Sequence, residues 1–479
     1  MIKHTNIKPS YIEAKKRSRE KVKILTDEYI ITNELKKLGI GKKYHIITYG
    51  CQGNVRDSET ISAILEDMSF ENTDNMQDAD LILLNTCAIR ENAHNKVFGM
   101  LGRIKHLKMA KPEIITILCG CMAQEESVVN EIEKNYKWMD VVFGTHNIQN
   151  LPKLVSEAMD SNELIIEVFS KEGDIVENLP VRRDNKYKAF VNIMYGCDKF
   201  CTYCIVPFTR GKQRSRKEED ILKEVNDLIE KGYKEVTLLG QNVNAYGKDL
   251  DDNSSMDKLL EDVAKTGIER VRFVTSHPWD FTDEMIDIIA KYPNIMPYIH
   301  LPLQSGSDKI LKLMGRRYTK ESYLKLAKKI REKIPNASIT TDIIVGFPNE
   351  TEEDFNETLD VVEKVKYDGA FTFIYSPREN TPAAKMDDSI PFEVKQQRLY
   401  KLNELVNKYS NESNNKLLNQ VVPVLIEGAS IKGDNLYSGY TDTMKLVNVK
   451  CDKDDLGKII NVKITEAKSW SLNGEKINE

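Results

Sequence analysis

Cys197, Cys201 and Cys204 lie in the run Tyr-Gly-Cys-Asp-Lys-Phe-Cys-Thr-Tyr-Cys, a CxxxCxxC spacing that gathers three thiols on one short loop. Thiolates are the ligands of iron–sulfur clusters, and three of them can hold three irons of a four-iron cluster while one iron stays open to bind something else. A structural zinc wants four ligands. No fourth Cys or His stands nearby, the next His being His277. The spacing therefore favours a cluster with an open iron over a structural zinc or unrelated cysteines.

Three more cysteines are positioned by strands. The apolar runs Tyr44–Gly50, Leu81–Thr86, Ile114–Gly120 and Val141–Gly144 alternate with amphipathic helical stretches, which predicts a parallel sheet covered by helices. Three of these runs end directly in Cys51, Cys87 and Cys121. In open α/β sheets ligands sit beyond the carboxyl ends of the strands, so these thiols are expected to converge as a second metal site rather than to be separate buried hydrophobes. Cys119 precedes Cys121 by two positions on the same alternating strand and reads as core.

Residues 151–182 show one short apolar run and read as a linker. A second α/β series follows, with strand-like runs Lys188–Gly196, Glu235–Val243, Arg270–Ser276, Tyr298–Gln304, Ser338–Pro348 and Gly369–Pro377 separated by helical segments. Six βα units predict an open, partial barrel, whose function gathers at the strand ends. By that position alone, Gln241, Asn242, Gln304, Ser305 and Gly346 are candidate cofactor contacts. His277 and His300 read as hydrogen-bonded barrel histidines rather than acid–base groups. An amphipathic helix over Phe392–Asn415 ends this region. Beyond it, Val421–Glu427, Leu436–Tyr440, Lys445–Val449 and Lys458–Thr465 read as the strands of a small β-barrel.

The chain has 479 residues, 41% hydrophobic and 30% charged, which suits a multidomain protein of about three domains. Eight cysteines are too few for a disulfide scaffold and point to metal or redox chemistry in a reduced compartment. No apolar leader or membrane span is expected, so the chain is read as cytoplasmic. The net charge of −5 gives no global reason to expect nucleic acid. Locally, residues 181–217 carry ten Lys/Arg against two Asp/Glu, and Arg210, Lys212, Arg214 and Arg216 read as a basic rim for RNA phosphates. Residues 1–43 carry twelve Lys/Arg against five Asp/Glu and read as a solvated, helical and partly disordered extension.

From about Tyr44 to the C-terminus the motifs resemble the radical S-adenosylmethionine (SAM) methylthiotransferases. The first region shows Tyr-Gly-Cys-Gln, Asn-Thr-Cys-Ala-Ile-Arg-Glu-Asn-Ala and Gly-Cys-Met-Ala-Gln. The second shows Cys-Thr-Tyr-Cys-Ile-Val-Pro-Phe-Thr-Arg-Gly, Leu-Leu-Gly-Gln-Asn-Val-Asn, Thr-Ser-His-Pro and Leu-Pro-Leu-Gln-Ser-Gly-Ser. The resemblance implies two 4Fe-4S clusters: Cys197, Cys201 and Cys204 hold the one whose open iron chelates SAM, and Cys51, Cys87 and Cys121 hold an auxiliary one that delivers sulfur. A SAM-derived radical would abstract hydrogen from C2 of an adenine that then receives the methylthio group, with no catalytic acid or base from the protein. The last region resembles the RNA-binding TRAM module.

Within the family, Cys87–Ala93 is similar to the branch acting on N6-dimethylallyladenosine next to the anticodon of tRNA. The alternatives are the branches acting on threonylcarbamoyl-adenosine in tRNA or on ribosomal protein S12. Gly53, Asn349 and Met444 depart from family habit, which favours Met, Gly and Asn there. The implied layout is a basic extension over 1–41, a methylthiotransferase N-terminal α/β domain over 42–160, a linker over 161–182, a partial (βα)6 radical SAM barrel over 183–415 and an OB-like TRAM β-barrel over 416–479. The implied partners are tRNA and an electron donor such as flavodoxin or ferredoxin, with the protein acting as a monomer.

Overall fold

A computed structural model describes residues 2–4, 9–17, 26–88, 91–170, 175–431, 433 and 436–477. Parts of the extension read at 1–41, and Ile89 and Arg90 of the Cys87–Ala93 stretch, lie outside the described residues. The chain forms two compact units that interleave in sequence around the CxxxCxxC loop. One comprises Met1–Asp184, Met194–Phe200 and Cys204–Arg216; the other comprises Asn185–Ile193, Cys201–Tyr203 and Lys217–Glu479.

The first unit is built on a parallel sheet in the order Ile2–His4, Leu164–Glu167, Val141–Phe143, Ile115–Gly120, Leu81–Thr86, Lys43–Tyr49, Glu71–Asn72. Side chains alternate across a strand, and both faces here are covered. Leu81, Leu83, Ile115 and Ile117 pack with Ile61, Ile64 and Leu65 of the helix Gln52–Asp67 and with Leu151, Leu154 and Val155 of the helix Leu151–Asp160. Ile82, Leu84 and Leu118 turn the other way, onto Val97, Leu101 and Ile104 of the helix Glu91–Ala110 and Val128, Val129 and Ile132 of the helix Glu126–Asn135. Full burial of each such side chain contributes about 1.5–3 kcal/mol. Cys119 is buried in the first of these layers, as expected of a core residue.

The structure departs from two of these expectations. The supposed linker supplies Leu164–Glu167, a fully buried strand paired on both sides, and Glu167 accepts hydrogen bonds from Asn147 and Asn150 at 3.0 and 2.7 Å. The extension is not merely a solvated face. Ile2–His4 pairs with Leu164–Ile166, and Tyr11 and Ala14 of the helix Tyr11–Arg17 are buried.

The second unit begins with six parallel strands in two sheets, Lys188–Asn192, Glu235–Leu239 and Arg270–Phe273, then Tyr298–His300, Ser338–Val345 and Gly369–Ile374. The βα alternation is that of a partial barrel. Its helices start where capping residues satisfy free N–H groups: Thr282 accepts from Met285 N, Thr319 from Ser322 N and Thr351 from Asp354 N. The helix Phe392–Asn415 packs against the last sheet.

A closed barrel follows, in the order Val421–Ala429, Leu436–Thr441, Leu446–Lys450, Leu472–Lys476, Ile459–Ala467. Its interior is Val424, Ile426, Val447, Val449, Val462, Ile464 and Leu472. Leu472–Lys476 is the strand missing from the reading above, and it closes the barrel by pairing parallel to Leu446–Lys450. Its Gly474 sits so close to the neighbouring strand that a Cβ would lie 2.5 Å from Val462 Cγ1. The barrel is fastened to the first of the two parallel sheets. Arg270 donates to the carbonyls of Tyr440 and Pro423 at 2.9 and 3.0 Å, and Lys188 pairs with Glu427 at 2.6 Å. Among the described residues, no helix is long and apolar enough to cross a membrane.

Candidate metal centres

Cys87 and Cys121 each directly follow the last residue of a strand, Cys51 stands one residue further on after Gly50, and a hydrogen-bonded lattice fixes the three turns. Asn54 Oδ1 accepts from Cys51 N at 3.3 Å while Asn54 Nδ2 donates to Asn85 Oδ1 and Thr86 O at 3.1 and 3.2 Å. Cys87 N donates to Tyr49 O at 2.8 Å, and Thr86 Oγ1 to Cys119 O at 2.9 Å. Gly120 turns the chain into Cys121 at φ +93°, where a Cβ would lie 2.4 Å from Asn85 Oδ1 and 2.5 Å from Thr86 O. Only glycine fits this turn.

The thiols sense one another. A hydrogen bond from Cys87, opposed by burial and helped by the charge of Arg210, pulls Cys51 down to about 5. Burial pushes Cys121 up, against the pull of Arg210, and the charge of Cys51 adds to the rise. Among the described residues, no group of three or more His, Cys, Asp and Glu side chains encloses a point as a single-ion site would. A multi-iron cluster makes a different demand, for separate thiolates around a larger body, and three thiols at the ends of three adjacent strands are donors of that type.

The basic rim read at Arg210–Arg216 is not an exposed phosphate surface. Arg210, Arg214 and Arg216 are each no more than 7% exposed. Arg216 forks onto Glu177, with Nε to Oε1 at 2.8 Å and Nη2 to Oε2 at 2.7 Å. Arg214 donates to Arg210 O at 3.2 Å and stacks 5.7 Å from the Tyr195 ring centre. Arg210 donates from Nη2 to Asp57 at 2.6 Å and from Nε to Cys121 Sγ at 3.1 Å. Lys212 is half-buried. The carboxylates that neutralise this run come from distant sequence, so the run is internal rather than solvated.

In the first unit, Cys197 N donates to Gly211 O at 3.1 Å, beside the antiparallel pair Met194–Tyr195 and Arg214–Ser215. Gly196, at φ +73°, has no room for a Cβ, which would lie 2.0 Å from Lys212 O. In the second unit, Cys201 is buried and accepts from Arg316 Nη1 at 3.5 Å. Arg316 also donates to Tyr318 OH and Pro302 O, at 3.0 and 3.2 Å. Thr202 is tied to Met314 O and Leu313 O at 2.9 and 2.8 Å. Neither Arg316 nor Asp57 carries a motif signal; only the fold reveals them.

At the strand ends of the partial barrel, Asn242 donates to Asp280 at 2.8 Å, while among the described residues its Oδ1 is buried without a hydrogen-bond partner, as is Ser276 Oγ. Thr275 and Gln304 both hold φ +68°, a costly conformation for a side-chain-bearing residue. Unpartnered polar atoms and costly backbone conformations thus coincide at these strand ends. Gln241 is half-buried at the same strand end as Asn242. Ser305 and Gly346 have local reasons for their identity. Ser305 is fully buried and its Oγ accepts from Ser307 N at 3.3 Å; Gly346, at φ +68°, donates its N–H to Glu350 at 2.7 Å. His300 bonds Thr340 Oγ1 at 3.0 Å and His277 Nδ1 caps Trp279 N at 3.2 Å, the hydrogen-bonded roles expected of them.

Family models match three stretches: the Radical SAM superfamily over residues 191–362, Uncharacterized protein family UPF0004 over 43–144 and the TRAM domain over 415–477. The first implies SAM and a 4Fe-4S cluster as cofactors. Among solved structures, the radical S-adenosylmethionine methyltransferase TsrM from Kitasatospora setae aligns with a TM-score of 0.50 at 14% identity, covering 72% of this chain and 75% of that one, a likeness of fold. Curated relatives named tRNA-2-methylthio-N(6)-dimethylallyladenosine synthase match almost end to end. The one from Halalkalibacterium halodurans is 56% identical over 470 residues, covering 98% of this chain and 87% of its own. That from Bacillus subtilis is 55% identical over 474 residues, covering 99% and 93%. Identity at this level over the whole length leaves no segment of the chain to another family, and the chain belongs to the tRNA-2-methylthio-N(6)-dimethylallyladenosine synthase family of radical SAM enzymes.

Proposed function

We propose that this chain converts N6-dimethylallyladenosine next to the anticodon of tRNA to its 2-methylthio derivative. The observation that carries the reading is the end-to-end identity to synthases of that name, which spans both cysteine sets and the TRAM segment. Cys197, Cys201 and Cys204 would hold the SAM-binding cluster, and Cys51, Cys87 and Cys121 an auxiliary cluster. When bound, these groups supply the radical and sulfur chemistry that side chains lack. The chain's own share is positioning. Strand ends and their hydrogen-bonded turns set the thiols in place. Arg210 and Arg316 each donate to a cysteine sulfur. Gln241, Asn242 and Gln304 would contact SAM from the strand ends, with the backbone at Ser305 and Gly346 beside them.

The TRAM barrel is the proposed tRNA-binding surface in place of the buried arginines, and a flavodoxin or ferredoxin the electron donor to a cytoplasmic monomer. RNA loops present unstacked bases that can be splayed out and read. The test is nucleoside analysis of tRNA from a strain lacking the gene against its parent. Loss of the 2-methylthio nucleoside with accumulation of N6-dimethylallyladenosine is expected. An unchanged tRNA profile with altered ribosomal protein S12 overturns the reading.

A further inference from the structure

We infer that Arg210 sets the reduction potential of the auxiliary cluster, as a positioning residue that links the Cys121 sulfur to the buried carboxylate of Asp57. The inference rests on the proposed function, in that Cys121 is taken as a cluster ligand. Its support is geometric. Arg210 and Asp57 are 7% and 6% exposed, and their contact is 2.6 Å. The same guanidinium donates to Cys121 Sγ at 3.1 Å. A Cβ built on Gly53 lies 3.7 Å from Arg210 Nη2 and 3.5 Å from Cys51 Sγ, so the cation stands near a second thiol of the set.

The segment bearing Arg210 is held in place independently of that contact. Thr145 Oγ1 donates to Thr209 O at 2.6 Å, Arg210 N to Val206 O at 2.8 Å, and Arg214 to Arg210 O at 3.2 Å. A buried cation is retained at several kcal/mol of desolvation unless it is paired, and one carboxylate already pairs this one. Another of its donors, the Nε–H, is aimed at sulfur. N–H groups bonded to cluster sulfurs, and positive charge beside them, stabilise the reduced and more negative cluster, which raises its potential. The other cysteine set repeats the device, with buried Arg316 donating to Cys201 Sγ at 3.5 Å.

The test uses the full chain with Cys197, Cys201 and Cys204 all replaced by Ala, so that only the auxiliary cluster is reconstituted. Iron is measured, and the reduction potential is followed by EPR-monitored titration for Arg210 intact, Arg210→Lys and Arg210→Gln. With Arg210 intact, about four irons are expected. Their absence would sink the cluster assignment itself rather than the role of Arg210. Arg210→Gln is expected to keep iron and move the potential negative by at least a tenfold change in the reduction equilibrium, about 59 mV for one electron. Arg210→Lys, which keeps charge and one donor, should move it less. Iron retained with an unmoved potential in Arg210→Gln overturns the inference. Loss of iron from both variants with the fold intact also overturns it, because Arg210 would then merely hold the ligands in place.

Discussion

Gly120→Ala should cost the auxiliary site its Cys121 ligand while sparing the rest of the chain. Gly120 sits at φ +93° and ψ −165°, a region open essentially to glycine, where another residue pays about 1–3 kcal/mol. The new Cβ would stand 2.4 Å from Asn85 Oδ1, 2.5 Å from Thr86 O and 2.7 Å from Thr86 N. Two of these three atoms are backbone of the neighbouring strand, so no rotamer change relieves the overlap. The strand end must shift, which strains the Thr86 to Cys119 and Asn54 to Thr86 hydrogen bonds, each worth about 1 kcal/mol net. The sum is about 3–5 kcal/mol. A domain stable by about 5–15 kcal/mol survives such a loss with its turn displaced.

The assay is urea unfolding together with iron analysis after anaerobic reconstitution. Gly120→Ala should unfold at lower urea and fall from about eight irons to about four. Gly99→Ala is the control, since nothing lies within 4 Å of its Cβ position in the helix Glu91–Ala110. That change should stabilise by about 0.5–1 kcal/mol and leave iron untouched. A Gly120→Ala protein with wild-type iron and midpoint would refute the argument that this turn delivers the ligand.

Cys87→Ala should retain cleavage of SAM to 5′-deoxyadenosine and lose methylthiolation, whereas Cys119→Ala, in the sheet core, should keep both clusters; equal iron loss from the two variants would show the ligand set to be wrong. Met444 holds φ +61° in the turn between Leu436–Thr441 and Leu446–Lys450, so Met444→Asn should raise stability by about 0.5–1.5 kcal/mol, and a fall in the melting temperature counts against this. Burial lifts the Glu350 carboxyl to about 7, against hydrogen bonds from Gly346 N and Arg398. Its folded form then binds a proton more tightly than the unfolded chain, so its stabilising contribution is complete below about 4.5 and lost as pH rises through about 7. Against Glu350→Gln, whose amide does not titrate, the wild type should lose up to about 3 kcal/mol across that window, and parallel stability curves would contradict the assignment.

What the sequence made legible was what repeats locally. Strands announce themselves by apolar runs, and a thiol placed directly after three of them is a pattern within reach of the eye, because strand ends in a parallel sheet share one edge. Arg210 was misread for the complementary reason. Its neighbours in sequence are basic, whereas the carboxylate that neutralises it is 153 residues away, and Glu177 lies 39 residues from Arg216. A charge run reports its own composition and not the counter-charges the fold brings to it. The Leu-Ile-Ile run of Leu164–Glu167 is too short to declare its own role, which comes from pairing on both sides, whereas Leu472–Lys476 carries a single large apolar residue, Leu472, because its partners enclose it.

The departures at Asn349 and Met444 show the same limit in backbone terms. Both positions have positive φ, +68° and +61°, where Gly and Asn rest easily and Met does not. Asn349 is therefore a neutral replacement for Gly, and Met444 is a strained one for Asn. The oddity of each residue could be read from the motif, but its sign could be read only from the conformation the chain requires there.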